Sequence, residues 1–299
     1  MVFGIIYGFS AAILNSASYL LSAGFMKSYK SPLRLLVMAT LLMQLISLPL
    51  LWWFPFGAID DPLHFFGQML LSCICFLVGQ GAFFSALRFF EASRLSSLLG
   101  LKIIVLSGVF VLTGGELNVF QLTAVLLAAA AALLFNWSGA VRSSWKGWLL
   151  LSVTLCCYST VDVLETGLVI QLREATGFGR FYSAFLTVPP MYVMLGMLSM
   201  PLLFYFKPDR KQLQKAMPYA VLWLCSQVLL FGCFATLLPV FGNVILATRG
   251  IFSVFAGMLL PRFGLGALDS QIPLSLWMRR VAAALMMLGA ITLYSLAVM

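Results

Sequence analysis

A chain of 299 residues that is 62% hydrophobic and only 9% charged is not an ordinary soluble domain, which carries roughly 25% charged residues. Its net charge of +9 lies between apolar runs, so it reports membrane orientation and excludes a solvated nucleic-acid footprint. One histidine and six cysteines leave no His/Cys cluster with zinc spacing, and the thiols read as small packing residues.

Apolar runs of about 20 residues, each enough to cross ~30 Å of hydrocarbon as a helix, recur along the chain. They predict spans at 3–25, 35–56, 65–89, 95–113, 119–137, 147–170, 182–206, 217–239, 243–263 and 276–297. The first has no basic leader and no small-residue cleavage site, so it reads as a retained helix. Trp52, Trp53 and Trp145 read as interface anchors. The fifth span is rich in alanine, "AVLLAAAAALL" at 124–134, which suits close helix packing or a dimer contact. In the seventh, Pro189-Pro190 is expected to break the helix. Gly242 and Asn243 are expected to form the tight turn between the eighth and ninth.

Cations follow the odd-numbered spans: Lys27, Lys30, Arg34, Arg88, Arg94, Arg142, Lys146, Lys207, Arg210, Lys211, Lys215, Arg262, Arg279 and Arg280. Only Arg173 and Arg180 follow the even-numbered ones. The positive-inside rule then puts both termini outside the cytoplasm.

The chain also repeats itself. A shift of 143 lays the first span on the sixth, with Gly4 on Gly147, Ser16 on Ser159 and Gly24 on Gly167. A shift of 147 lays the third and fourth on the eighth and ninth, with Phe76 on Trp223, Gln80 on Gln227, Phe84 on Phe231 and Lys102 on Arg249. An odd number of spans per copy makes the second copy enter the membrane from the opposite side. The expected fold is therefore an all-α membrane protein of ten helices in two inverted five-helix repeats, 1–142 and 143–299, around a central cavity. Such repeats set substrate sites near the midplane.

Charge inside an apolar span costs at least ~2.5–3.5 kcal/mol per residue, so its presence marks function or a buried network. Lys102 and Arg249 are repeat mates and are expected to reach one cavity, holding an anionic group. Gln80 and Gln227, also mates, are expected to orient the substrate or to join helices, and Tyr158 to bind it. Of the aromatics inside spans, Tyr19, Phe83, Phe84, Tyr158, Tyr192 and Trp223, only those near the axis would stack on a ligand. Asp162 and Glu165, at i and i+3, share a face of the sixth helix and are expected to couple protons or complete a charge network.

With these pieces set out, "AGFMKSYKSPLRLL" at 23–36 and "SRLSSLLGLKIIVLSGVFVLTGGELNVFQLTAVLLAAAAALL" at 93–134 resemble the drug/metabolite transporter superfamily, EamA-type branch. The resemblance spans the whole chain. It implies ten helices in two halves, alternating access, no cofactor, and termini in the cytoplasm, the reverse of the loop count. Arg262-Phe263-Gly264 stands where a second Gly-Glu turn would fall. The cations of the fourth and ninth spans resemble those of the nucleotide-sugar and triose-phosphate branches, which implies a grip on phosphate.

The expected function is secondary transport, as exporter or exchanger, of a small polar metabolite such as an amino acid or a phosphate ester. Partners would be the substrate, the lipid bilayer of a bacterial inner membrane, and a coupled proton or counter-substrate, with the chain a monomer or homodimer and no nucleic acid bound. A flippase for a lipid-linked phosphate is the alternative. An intramembrane enzyme ranks last, since no catalytic Ser/His/Asp set is present. Alanine at Lys102 or Arg249 is expected to abolish flux at near-normal folded yield.

Overall fold

Backbone N–H and C=O groups in hydrocarbon must be bonded within the protein, and a helix achieves this without a neighbour. The computed structural model describes residues 1–90, 95, 98–112, 114–136, 144–207, 209–249, 251–252 and 274–298. Their regular structure is entirely helical: α1 (Val2–Tyr29), α2 (Pro32–Ser47, extended by a 3-10 turn at Leu48–Trp53), α3 (Pro62–Ala86), α4 (Lys102–Leu112), α5 (Val119–Asn136), α6 (Trp145–Thr176), α7 (Arg180–Ser199), α8 (Arg210–Leu246) and α9 (Leu274–Val298). Among the described residues, six of these helices are long and apolar enough to cross a membrane: α1, α2, α3, α6, α7 and α8. The chain is an integral membrane protein.

Short polar residues set the helix ends. Ser31 and Asp61 accept from the Arg34 and His64 amides at 3.4 and 3.0 Å, each just ahead of a proline in the first helical turn. There the missing proline N–H costs nothing. Gly177 closes α6 with φ 69°, a left-handed cap that glycine adopts freely.

α8 reverses direction partway. Leu238 has φ 65° and ψ 159°, and the proline that follows it disfavours helical geometry at that position. The first limb runs antiparallel to α1, with Ser226 bonded to the Ala11 carbonyl at 3.0 Å and Cys233 facing Gly8. The second limb climbs back along the same helix. Ile245 also faces Gly8, and Ser16 donates to the Arg249 carbonyl at 2.7 Å. A Cβ on Gly8 would lie 2.8 Å from Ile245 Cγ2 and 3.0 Å from Cys233 Sγ, so glycine is what lets both limbs share one helix. The turn thus falls at Leu238 and not at Gly242-Asn243, because Gly242 sits in the second limb packed on Phe234.

The other pairings follow the same small-residue logic, since packing rather than water exclusion drives helix association in lipid. α3 lies antiparallel to α6, with Gln68 donating to Leu164 O at 3.0 Å and Thr154 to Gly79 O at 3.3 Å. Thr40 and Ser199 share a 2.7 Å hydrogen bond between α2 and α7. Ala124, Ala128, Ala129 and Ala131 of α5 are buried with Ala283, Met287 and Ala290 of α9, which assigns these four to packing within the chain. α7 stays helical through Pro189 and Pro190, so the expected break does not occur; membrane helices tolerate proline where neighbours re-satisfy the backbone.

One end of the bundle is basic. Arg88 donates to Lys30 O at 3.3 Å, Lys215 to Ser28 Oγ, and the Arg34 guanidinium lies 5.8 Å from the Phe206 ring centre. Arg180 belongs to the opposite end, where its neighbour Phe181 stacks on Tyr7 near the start of α1. Arg94, Arg142 and Arg262-Phe263-Gly264, with the later part of the ninth expected span, lie outside the described residues.

Candidate functional site

Two interruptions of helical regularity bring cations to the centre. A 3-10 turn at Leu99–Leu101 delivers Lys102 as the first residue of α4. Turns at 247 and 248 deliver Arg249, with Thr248 Oγ1 donating to Ile245 O at 2.7 Å. Both residues are 3% exposed. Irregular backbone in a membrane protein is tolerated where protein or a cavity covers it, and here the covering groups are serines. Ser16 Oγ bonds Arg249 O at 2.7 Å, and Ser159 Oγ approaches Lys102 O at 3.5 Å.

Lys102 Nζ lies 2.6 Å from Asp162 Oδ2, the same oxygen that accepts from Asn243 Nδ2 at 2.6 Å. Asn243 Nδ2 also donates to Pro239 O at 2.8 Å, which ties the ion pair to the α8 reversal. The Lys102 ammonium lies 5.9 Å from the Tyr158 ring centre, and the Arg249 guanidinium 6.0 Å from that of Tyr19, within cation–π range.

One cavity is lined by Lys102, Arg249, Asp162, Glu165, Tyr158 and Gln227, together with Asn15, Tyr19, Phe76 and Trp223. The cavity has a volume of about 30 Å³, space for about two waters at ~10–15 Å³ each. Passage of anything larger therefore requires the helices to move. Gln80 stands behind this wall: it donates to Tyr219 OH at 2.6 Å and accepts from Tyr158 OH. Trp223 is held likewise, donating to Tyr192 OH at 2.8 Å.

The acids differ in company. Asp162 is paired, whereas Glu165, 2% exposed, has no hydrogen-bond or ion-pair partner among the described residues. Gln227 likewise has no hydrogen bond among them. Asn15 Nδ2 donates to Ser226 Oγ at 2.8 Å, and Ser226 spends its own proton on Ala11 O at 3.0 Å. That chain fixes the amide orientation, and it leaves Asn15 Oδ1 buried without a partner.

Of the expected residues, the cavity brings together Lys102, Arg249, Asp162, Glu165, Tyr158 and Gln227 and leaves Gln80 outside. Asn15 is an addition to the lining, and Asn243 joins the site through its bond to Asp162. Among the described residues no three His, Cys, Asp or Glu side chains meet as a metal site.

No protein-family model matches the chain, and no curated protein matches it by sequence. A solved structure, described as the crystal structure of a protein, aligns over 98% of this chain and 96% of its own, with TM-score 0.65 and 14% identity. The likeness is one of fold, and it runs the length of both chains.

Proposed function

We propose that the chain is a secondary transporter of a small polar metabolite bearing an anionic group, working by alternating access. In this reading it belongs with the drug/metabolite transporter superfamily, EamA-type branch, and sits in a bacterial inner membrane. It has ten spans in two inverted five-helix repeats, 1–142 and 143–299. The observation that carries the reading is the cavity itself: two cations from different halves, each at a break in its helix, reach one buried space.

Repeated contacts support the duplication. With 143 and 147 as the shifts, Ser16–Arg249 corresponds to Ser159–Lys102, and both are hydroxyl-to-carbonyl contacts. Ala11–Ser226 corresponds to Thr154–Gly79, again hydrogen-bonded in both copies. A Cβ on Gly100 would lie 3.4 Å from the Cβ of its own counterpart, Ala247, as expected of a residue beside a twofold axis. A transporter built this way opens its central site to each side in turn by rocking one repeat against the other. Gln227 and Tyr158 would orient the substrate, and the coupled proton or counter-substrate would exchange at the charge network.

The test is exchange in liposomes. The purified full chain, reconstituted with trapped unlabelled amino acids or phosphate esters, should take up the labelled compound, and Arg249→Ala should lose that uptake. Scrambling of a fluorescent polyprenyl phosphate with no soluble flux would replace transport by lipid flipping. Chemical turnover of a probe without vectorial movement would indicate an enzyme.

A further inference from the structure

The charges around the cavity carry the transport reading one step further, to the class of substrate. Among the described residues, the basic and acidic side chains that line it, Lys102, Arg249, Asp162 and Glu165, sum to zero formal charge. All four are at most 3% exposed, so water cannot offset a net charge added among them, and such a charge is costly. A phosphate ester adds net negative charge. A zwitterion adds none.

The free valences in the cavity point the same way. Lys102 and Asp162 pair through one carboxylate oxygen, so the ammonium, with three N–H groups, keeps donors that a substrate carboxylate can meet. Among the described residues that line the cavity, the Glu165 carboxylate and Asn15 Oδ1 are acceptors without hydrogen-bond partners, and the Gln227 amide, likewise without one, can donate or accept. A buried acceptor left unpaired costs about 1–3 kcal/mol, more when charged. The Glu165 carboxylate and Asn15 Oδ1 call for a ligand that donates hydrogen bonds.

We propose that Glu165 and Asn15 Oδ1 receive the ammonium group of a zwitterionic substrate of the amino-acid class, the substrate carboxylate lying toward Arg249. The assignment rests on the transport reading above. The ammonium must carry N–H bonds, because a trimethylated nitrogen has nothing to give these acceptors even though Tyr19, Phe76 and Trp223 would tolerate its charge.

The experiment uses the full chain in liposomes with labelled glycine, L-alanine, L-threonine, glycine betaine, glycerol 3-phosphate and glucose 6-phosphate. Wild type is expected to exchange the three amino acids at least tenfold faster than betaine or either phosphate ester. Glu165→Gln should lose amino-acid flux at least tenfold at an unchanged melting temperature, since Glu165 has no hydrogen bond to lose among the described residues. Should that variant fold poorly, ranking the same probes by the rise they cause in the wild-type melting temperature serves instead, with the amino acids expected above the phosphate esters. Phosphate-ester flux without amino-acid flux overturns the zwitterion assignment and leaves transport standing. So does full amino-acid flux in a folded Glu165→Gln protein, or betaine moving as fast as glycine. No flux of any soluble probe overturns both readings.

Discussion

Lys102 and Asp162 meet at 2.6 Å in the interior of the bundle, each about 95% or more out of reach of solvent. Removing one member of such a pair leaves the other charged and buried, at a cost of about 3–5 kcal/mol, whereas replacing both with groups of similar shape is often nearly neutral. Lys102→Met and Asp162→Asn should each lower the melting temperature of the detergent-purified protein clearly, and the double variant should recover most of the loss. Additive losses would mean that the pair contributes no coupling. The expectation of near-normal folding for Lys102→Ala thus gives way, because Asp162 would be stranded. Arg249→Ala is the cleaner probe of flux.

Asn243 links that pair to the reversal of α8, one amide nitrogen serving both Asp162 Oδ2 and Pro239 O. Asn243→Ala should cost about 1–3 kcal/mol through the acceptors it abandons. Asn243→Asp keeps the shape and sets a second carboxylate against Asp162, so it should be worse. Urea unfolding in mild detergent orders the two variants. If aspartate is tolerated better than alanine, the role given to the amide is wrong.

The 147-position shift lays Gln80 on Gln227, and the two differ in duty. Gln80 joins two buried tyrosine hydroxyls, Tyr219 and Tyr158, while Gln227 lines the cavity without a hydrogen bond among the described residues. Gln80→Leu should therefore destabilise by about 1–3 kcal/mol with KM for transport changed little in the protein that folds. Gln227→Leu should leave the melting temperature within about 2 °C and raise KM. Melting curves and uptake kinetics on the two proteins separate these outcomes. The reverse pattern would exchange their roles.

The parts of this site that the sequence disclosed are the ones that violate their surroundings. A lysine, an arginine and two acids within apolar runs are conspicuous because lipid makes them expensive. Asn15 and Tyr19 are not conspicuous: a lone amide and a lone tyrosine are common in membrane helices, where they often only join neighbours. Yet the 143-position shift lays Asn15 on Tyr158 and Tyr19 on Asp162. The matched residues differ in chemistry there, so similarity alone passes over positions that lie around the cavity. The α8 reversal was misread for a related reason. Gly-Asn is a strong turn signal in water, but a proline's restriction on the residue before it fixed the break at Leu238 instead. Pro189-Pro190 shows the converse, a breaker overruled by the packing around α7.

The basic end of the bundle makes a prediction about sidedness. Lys30, Arg34, Arg88 and Lys215 converge there, while Asp60 lies past the far end of α2 on an exposed stretch. The positive-inside rule assigns the basic end to the cytoplasm, whereas the family resemblance puts the termini there, at the other end of α1. Single cysteines decide the matter. In intact cells expressing the protein, a membrane-impermeant maleimide should label Asp60→Cys at once and Lys211→Cys only after permeabilisation. The native thiols interfere little, because Cys156 and Cys225 emerge on the faces of long apolar helices, where the reagent does not enter. Labelling of Lys211→Cys alone would turn the molecule over and side with the resemblance. Labelling of both in intact cells would mean that the chain inserts in two orientations.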